Sequence, residues 1–126
     1  MQKGPADGRT ERVEHRVLIV EDEDVLRQLL ARYLAGRGLV VAAVASLAEA
    51  REALAAGPFD ALVLDVGLPD GDGLDLLERA GAARALVVSA APDPARYARR
   101  GVVHHLPKPL DLRRVLDRVS AICAAA

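Results

Sequence analysis

A chain of 126 residues fits one hydrophobic core and leaves no room for a second. With 52% apolar and 28% charged residues, it is too apolar to be disordered and too charged for a membrane span. Aromatic residues make up 2%, and 17 Lys and Arg against 18 Asp and Glu give a net charge of −1, which excludes base-stacking platforms and an overall basic field for DNA or an acidic membrane.

Residues 1–15 mix Gly, Pro and charge without apolar periodicity, and the expectation is a flexible leader. Val17 to Val20 is a short apolar run that suits a strand buried on both faces of a parallel sheet. Val25, Leu26, Leu29, Leu30, Tyr33 and Leu34 then recur at helical spacing, and Gly36 and Gly38 stop that helix. Leu39 to Ala45 reads as a second strand; as the longest apolar run it is far short of the roughly 18 residues a membrane helix needs. Ser46 and Glu49 form a capping-box pattern that opens a second helix, closed near Gly57 and Pro58. Ala61 to Leu64 is a third strand, followed by the Gly-rich stretch Pro69 to Gly73 and a short helix carrying Leu74, Leu76 and Leu77. Ala85 to Val88 is a fourth strand, Pro94 to Arg100 a brief fourth helix and Val102 to Leu106 a fifth strand. Leu112, Val115, Leu116, Val119 and Ile122 mark an amphipathic fifth helix, after which Ala124 to Ala126 form a tail. Cys123 within that helix reads as a small buried thiol, which suits a reducing compartment, and the expected location is cytoplasmic.

Strands alternating with helices require a parallel sheet covered on both faces, and right-handed crossovers favour a doubly wound α/β fold with strand order 2-1-3-4-5. Chain direction reverses between the first and third strands, and ligands bind outside their carboxyl ends. Glu21 and Asp22 follow the first strand and Asp65 follows the third. Three carboxylates at one crevice repel one another unless a cation joins them, and an all-oxygen set suits Mg²⁺. Ser89 and Lys108, at the ends of the fourth and fifth strands, face the same crevice. Three negative charges, a divalent cation and one lysine sum to near neutrality, so a phosphoryl group can enter without net repulsion.

The segments LIVED (Leu18 to Asp22), LVLDVGLPDGDG (Leu62 to Gly73), VVSA (Val87 to Ala90) and LPKP (Leu106 to Pro109) together resemble the receiver domain of bacterial two-component response regulators. The resemblance covers residues 16–123 and implies the flavodoxin-like receiver fold. It further implies that Asp65 is the phosphoacceptor, receiving phosphate from a phosphohistidine on a histidine kinase or histidine phosphotransfer protein. Glu21, Asp22, Asp65 and the backbone carbonyl of Gly67 would hold Mg²⁺, or Mn²⁺ in its place. Lys108 would bind a phosphoryl oxygen next to a cis Lys108–Pro109 peptide, and Ser89 would follow the phosphoryl group as a switch. Such a domain catalyses its own phosphorylation and dephosphorylation but is not a turnover enzyme. A haloacid-dehalogenase-like phosphatase would need a second Asp where Gly67 stands, and a nucleotide site would need glycines where VEDEDV is acidic.

Two departures from the family pattern stand out. His105 occupies the strand-five position where receivers usually carry Tyr or Phe, making the expected second switch residue an imidazole. Only 24 positions separate Asp65 from Ser89 and 19 separate Ser89 from Lys108, so the third and fourth helices should be shortened. Shortening trims a common pairing surface, and a monomer or weak dimer is expected, acting on a separate output protein rather than on nucleic acid or membrane. The alternative function is a receiver-like interaction module that works without phosphorylation.

Overall fold

The computed structural model describes residues 14–125. The main sheet has five parallel strands: β1 (Arg16–Val20), β2 (Val40–Val44), β3 (Ala61–Asp65), β4 (Ala85–Ser89) and β5 (His104–Pro107). Their order is β2-β1-β3-β4-β5, the doubly wound arrangement expected from the alternation of elements. Five helices cover it: α1 (Asp24–Ala35), α2 (Leu47–Ala56), α3 (Leu77–Ala80), α4 (Pro94–Arg99) and α5 (Leu112–Ala125).

Because strand side chains alternate between faces, the apolar runs feed two cores at once, one on each face of the sheet, rather than the single core that chain length implied. Val17, Ile19, Val63, Leu86 and Val88 pack under α1 and α5 with Leu30, Leu34, Val115, Val119 and Ile122. Leu18, Val20, Leu62, Leu64 and Val87 pack on the opposite face against Leu47, Leu74, Leu76 and Leu77. The second core also holds Phe59 and Tyr97, two of the chain's three aromatic rings, so it is not purely aliphatic. Cys123 is buried in the first core, and burial, followed by the charge of Asp60, raises its thiol above the usual range, as an inert structural cysteine requires.

The helices are as short as the spacing predicts: α3 has four residues, preceded by a 3-10 turn at Gly73–Leu76, and α4 has six. At the end of α1, Gly36 keeps right-handed helical angles, and it is Gly38, at φ 90°, that takes the left-handed conformation. The Ser46 hydroxyl accepts the Glu49 N–H at 3.2 Å, and the Glu49 carboxylate reaches back to the Ala45 N–H at 2.7 Å, a capping box displaced by one residue.

Most of the expected leader, residues 1–13, lies outside the described residues. Its last residue belongs to the fold, because the His15 carbonyl accepts the Val40 N–H at 2.9 Å. The expected tail is shorter than the sequence implied, since α5 continues through Ala124 and Ala125, and Ala126 lies outside the described residues. Alanine has the highest helix propensity, so nothing in Ala124 or Ala125 ends the helix. Among the described residues no helix is long and apolar enough to cross a membrane.

Candidate functional site

Parallel strands deliver their carboxyl ends to one side of the sheet, and the reversal of order between β1 and β3 opens the crevice there. Glu21 and Asp22 follow β1 directly and Asp65 is the last residue of β3, so one carboxylate oxygen from each falls within 4.8 Å of the others. Glu21 is 1% exposed and Asp65 6%, whereas Asp22 faces solvent. Lys108, one residue beyond β5, places Nζ 2.9 Å from Glu21 Oε1 and 3.6 Å from Asp65 Oδ2. The Lys108–Pro109 peptide is cis, as the resemblance implied.

These charges shape one another. Burial, then repulsion from Glu21, push the Asp65 carboxyl up to about 6, against the opposing pull of Lys108. Burial alone would lower the Lys108 ammonium, but Glu21 and Asp65 outweigh it and hold that group above its usual range. Glu21 Oε1 is buried and, despite the nearby ammonium, accepts no well-directed hydrogen bond; the contact is a close charge pair that leaves lone pairs free. A cluster of three carboxylates with an unsatisfied buried oxygen has the donor chemistry of a hard divalent cation site.

The acidic turn is held by a residue that sequence reasoning did not single out. Arg27 Nη1 donates to the Glu21 carbonyl at 3.0 Å, and Nη2 reaches Asp24 Oδ1 at 2.6 Å. Nothing but its helical spacing from Asp24 hinted at this, because the target at Glu21 is a backbone oxygen.

The loop after Asp65 is anchored on two sides by aspartates of the Gly-rich stretch Pro69 to Gly73. Asp70 accepts the Leu47 and Ala48 N–H groups at 2.8 and 3.0 Å, capping α2, and these bonds hold its carboxyl below the usual carboxylate range. Asp72 accepts the Leu74 N–H at 2.9 Å with one oxygen and pairs with Arg96 of α4 through the other. Arg100 donates to the Leu74 carbonyl at 3.0 Å. Gly67 donates its N–H to Asp65 Oδ1 at 3.3 Å, and Gly73 donates to the Val66 carbonyl at 2.8 Å.

Gly73 is required by space: a Cβ there would stand 2.1 Å from the Asp65 carbonyl oxygen. Gly73→Ala is therefore expected to displace the Asp65 backbone. It should lower the midpoint of urea unfolding by about 1–3 kcal/mol equivalent and weaken divalent-cation binding measured by calorimetry.

Ser89 ends β4, buried, with its hydroxyl accepting the Ala91 N–H at 3.1 Å and its carbonyl accepting the Lys108 N–H at 2.9 Å. The ends of β4 and β5 are thus tied together. His105 sits opposite Val87 on the α4 side of the sheet, its ring 5.6 Å from that of Tyr97 and inclined at 59°. His104 lies opposite Leu86, toward α5. Tyr97 is the only buried residue of α4 and was missed as a partner for His105, although it is the one aromatic side chain in that segment.

A groove of about 540 Å³ adjoins the crevice, lined by Val25, Leu26 and Leu29 on α1 and by Ala90, Lys108 and Pro109 across from them. Val25 is 76% exposed and Leu29 42%, so the α1 wall of the groove presents two apolar side chains to solvent.

Comparison with known proteins agrees with this geometry. The model of the response regulator receiver domain family matches residues 17–120. The response regulator protein PilR of Pseudomonas aeruginosa is 33% identical over 112 residues; the match takes in 83% of this chain but only 25% of PilR, so the chain spans about a quarter of that protein's length. The non-phosphorylated HemR receiver domain from Leptospira biflexa superposes with a TM-score of 0.77 at 30% identity, covering 88% of this chain and 95% of that one. A response regulator from Burkholderia pseudomallei, solved with a phosphorylated aspartic acid, calcium and citrate, has a TM-score of 0.76 at 24% identity, covering 89% of this chain and 70% of that one, and shares the fold. Sheet order, the acid crevice and the family match converge: the chain belongs to the response regulator receiver domain family of two-component systems, a signalling domain rather than a turnover enzyme.

Proposed function

We propose that Asp65 accepts a phosphoryl group from a phosphohistidine of a sensor kinase or phosphotransfer protein, with Mg²⁺ bound, and that this changes which partner the domain binds. The observation that carries the reading is the meeting of Glu21, Asp22 and Asp65 within 4.8 Å, with Lys108 Nζ against two of them. Asp65 Oδ attacks phosphorus, and the phosphorus–nitrogen bond of the donor breaks with its electron pair returning to the imidazole. Glu21, Asp22, Asp65 and the Gly67 carbonyl hold Mg²⁺, or Mn²⁺ in its place; when bound, the ion supplies two positive charges that offset the acids and the entering phosphoryl oxygens. Lys108 takes one phosphoryl oxygen. Ser89 exchanges its bond to the Ala91 N–H for another, moving the loop between β4 and α4. His105, packed on Tyr97 beside the same loop, is the second switch residue. The phosphorylated aspartate and divalent cation in the Burkholderia pseudomallei structure support the assignment by likeness of fold.

A phosphohistidine can reach Asp65 only if its protein settles on the surface around the crevice. The groove between α1 and Pro109 shares Lys108 with the site, and exposed Val25 and Leu29 give a docking helix apolar contacts. Val25→Lys with Leu29→Lys is expected to slow transfer from a phosphorylated histidine partner about tenfold or more relative to labelling by acetyl phosphate, a donor too small to use the groove. Equal slowing with both donors would remove the groove from partner docking. The domain acts in the cytoplasm on a downstream output partner, as a monomer or weak dimer.

Incubation with acetyl phosphate, with and without Mg²⁺, followed by intact mass measurement tests the central assignment. One added phosphoryl group that requires Mg²⁺ is expected. A chain that takes none is instead an interaction module that signals without phosphorylation.

A further inference from the structure

Beyond Asp65 the chain doubles back on itself. Gly67–Leu68 and Gly71–Asp72 form an antiparallel ribbon of two residue pairs, in which Asp72 stands directly opposite Gly67. The Gly73 N–H closes this ribbon by donating to the Val66 carbonyl at 2.8 Å, and Gly73 itself packs against the Asp65 carbonyl. The strand that ends at Asp72 therefore shapes the backbone of both Asp65 and Gly67. Two pairs are too few to hold a ribbon in water, so its shape has to be set from outside.

One outside hold is Asp70, bonded to the start of α2. The other is Arg96, 24 positions along the chain from Asp72. Arg96 Nη2 pairs with Asp72 Oδ2 while Asp72 Oδ1 accepts the Leu74 N–H at 2.9 Å, so both oxygens of the carboxylate are committed. The two side chains of the pair are 35% and 33% exposed, which screens it less than an ion pair on an open surface. α4 does not depend on this pair for its seat, because Tyr97 is buried in the second core and Arg100 donates to the Leu74 carbonyl at 3.0 Å. What the pair chiefly constrains is the ribbon.

We infer that Arg96 is a positioning residue for the cation site, an inference that rests on the crevice being a divalent cation site. By holding Asp72, Arg96 fixes the strand opposite Gly67, and with it the Gly67 carbonyl and the Asp65 backbone. A purely electrostatic role for Arg96 has the opposite sign. A guanidinium near the crevice repels Mg²⁺, so removing its charge would tighten cation binding, whereas loosening the ribbon weakens it.

Arg96→Gln sets the two against each other, with Mg²⁺ affinity measured by calorimetry on the unphosphorylated protein and amide exchange measured without metal. Mg²⁺ binding is expected to weaken about tenfold, as when a group that orients a metal ligand is lost. Exchange at the Gly73 and Leu74 N–H groups should quicken about fivefold. Arg96→Lys keeps one charged contact to Asp72 and should stay within about twofold of the wild type in both measurements. Arg100→Gln frees the Leu74 carbonyl but leaves the Asp72 pair, so it should speed exchange in α4 and keep Mg²⁺ affinity within about twofold. Unchanged or tighter Mg²⁺ binding in Arg96→Gln, or equal weakening in Arg100→Gln, would overturn the inference. So would unchanged exchange at Gly73 and Leu74 in a protein whose wild type binds Mg²⁺, and that result would leave the cation site standing. A wild type that binds no Mg²⁺ would overturn the cation site and the role of Arg96 together.

Discussion

Replacing Asp65 by Asn is expected to abolish phosphoryl labelling while making the metal-free protein more stable. The amide has no anionic oxygen to attack phosphorus, so incorporation from acetyl phosphate should fall from one group per chain to none. The gain in stability has a separate cause. Burial and Glu21 raise the Asp65 carboxyl from 3.8 to about 6 in the folded state. A raised folded pKa means that the folded chain binds the proton more tightly than the unfolded chain. The resulting stabilisation is complete below pH 3.8 and is lost as pH rises through 6, so at neutral pH the ionised carboxylate is a burden on the fold. Removing it should raise stability by about 1–2 kcal/mol at pH 7, less than the shift alone implies because Lys108 loses a partner. Added Mg²⁺ should raise the Tm of the wild type and reverse the order of the two proteins. A variant that still labels, or a wild type whose stability does not fall between pH 4 and pH 7 relative to the variant, would contradict this account.

Lys108→Ala has the opposite effect on stability. Glu21 is almost wholly buried and Asp65 nearly so, and Lys108 is the cation between them. Without it both carboxylates remain out of water and uncompensated, and the expected loss is about 2–4 kcal/mol at pH 7 in the absence of metal. The loss should shrink as pH falls through about 6, where Asp65 takes up a proton, and on addition of Mg²⁺, which replaces the missing charge. Phosphorylation should slow but persist, since the nucleophile and the acid cluster remain. What should disappear is the coupling to shape: the Lys108 backbone is tied to Ser89, and its side chain is the cation that joins Asp65 to the end of β5. Hydrogen exchange in Ala90 to Arg100 should then be the same with and without acetyl phosphate. Lost Mg²⁺ affinity with a normal exchange response would refute that division of labour.

Much of this was readable in one dimension because the features are periodic or sit at fixed offsets. Four-residue apolar runs ending in acids announced buried parallel strands, and with the helical repeats between them they left few topologies. The crevice followed, since the carboxyl ends of neighbouring parallel strands must lie side by side; that rule and the receiver motifs pointed to Glu21, Asp22, Asp65, Ser89 and Lys108, and the fold brings Glu21, Asp22, Asp65 and Lys108 together. Even the short α3 and α4 followed from counting residues between the motifs.

Other features were hidden because they depend on contacts between distant segments. Asp70 and Asp72 lie within a Gly-rich stretch with no distinguishing pattern, yet they brace the loop after Asp65 against α2 and α4 across 22 or more positions in the chain. Arg27 acts on a backbone oxygen, which no side-chain pattern encodes. Both His104 and His105 fit the strand, and only the register with Leu86 and Val87 shows which ring meets Tyr97.

The pattern of apolar runs, turns and acids was therefore enough to specify the family, the sheet order and the chemical identity of the crevice, because those follow from local periodicity and from the way parallel strands must align. Charges and bond partners are another matter, since burial and distance set their energies and neither exists until the chain has folded. Packing put Glu21 beside Asp65 under low solvation and raised the carboxyl to about 6. It also chose Lys108 as their counter-ion and seated His105 on Tyr97.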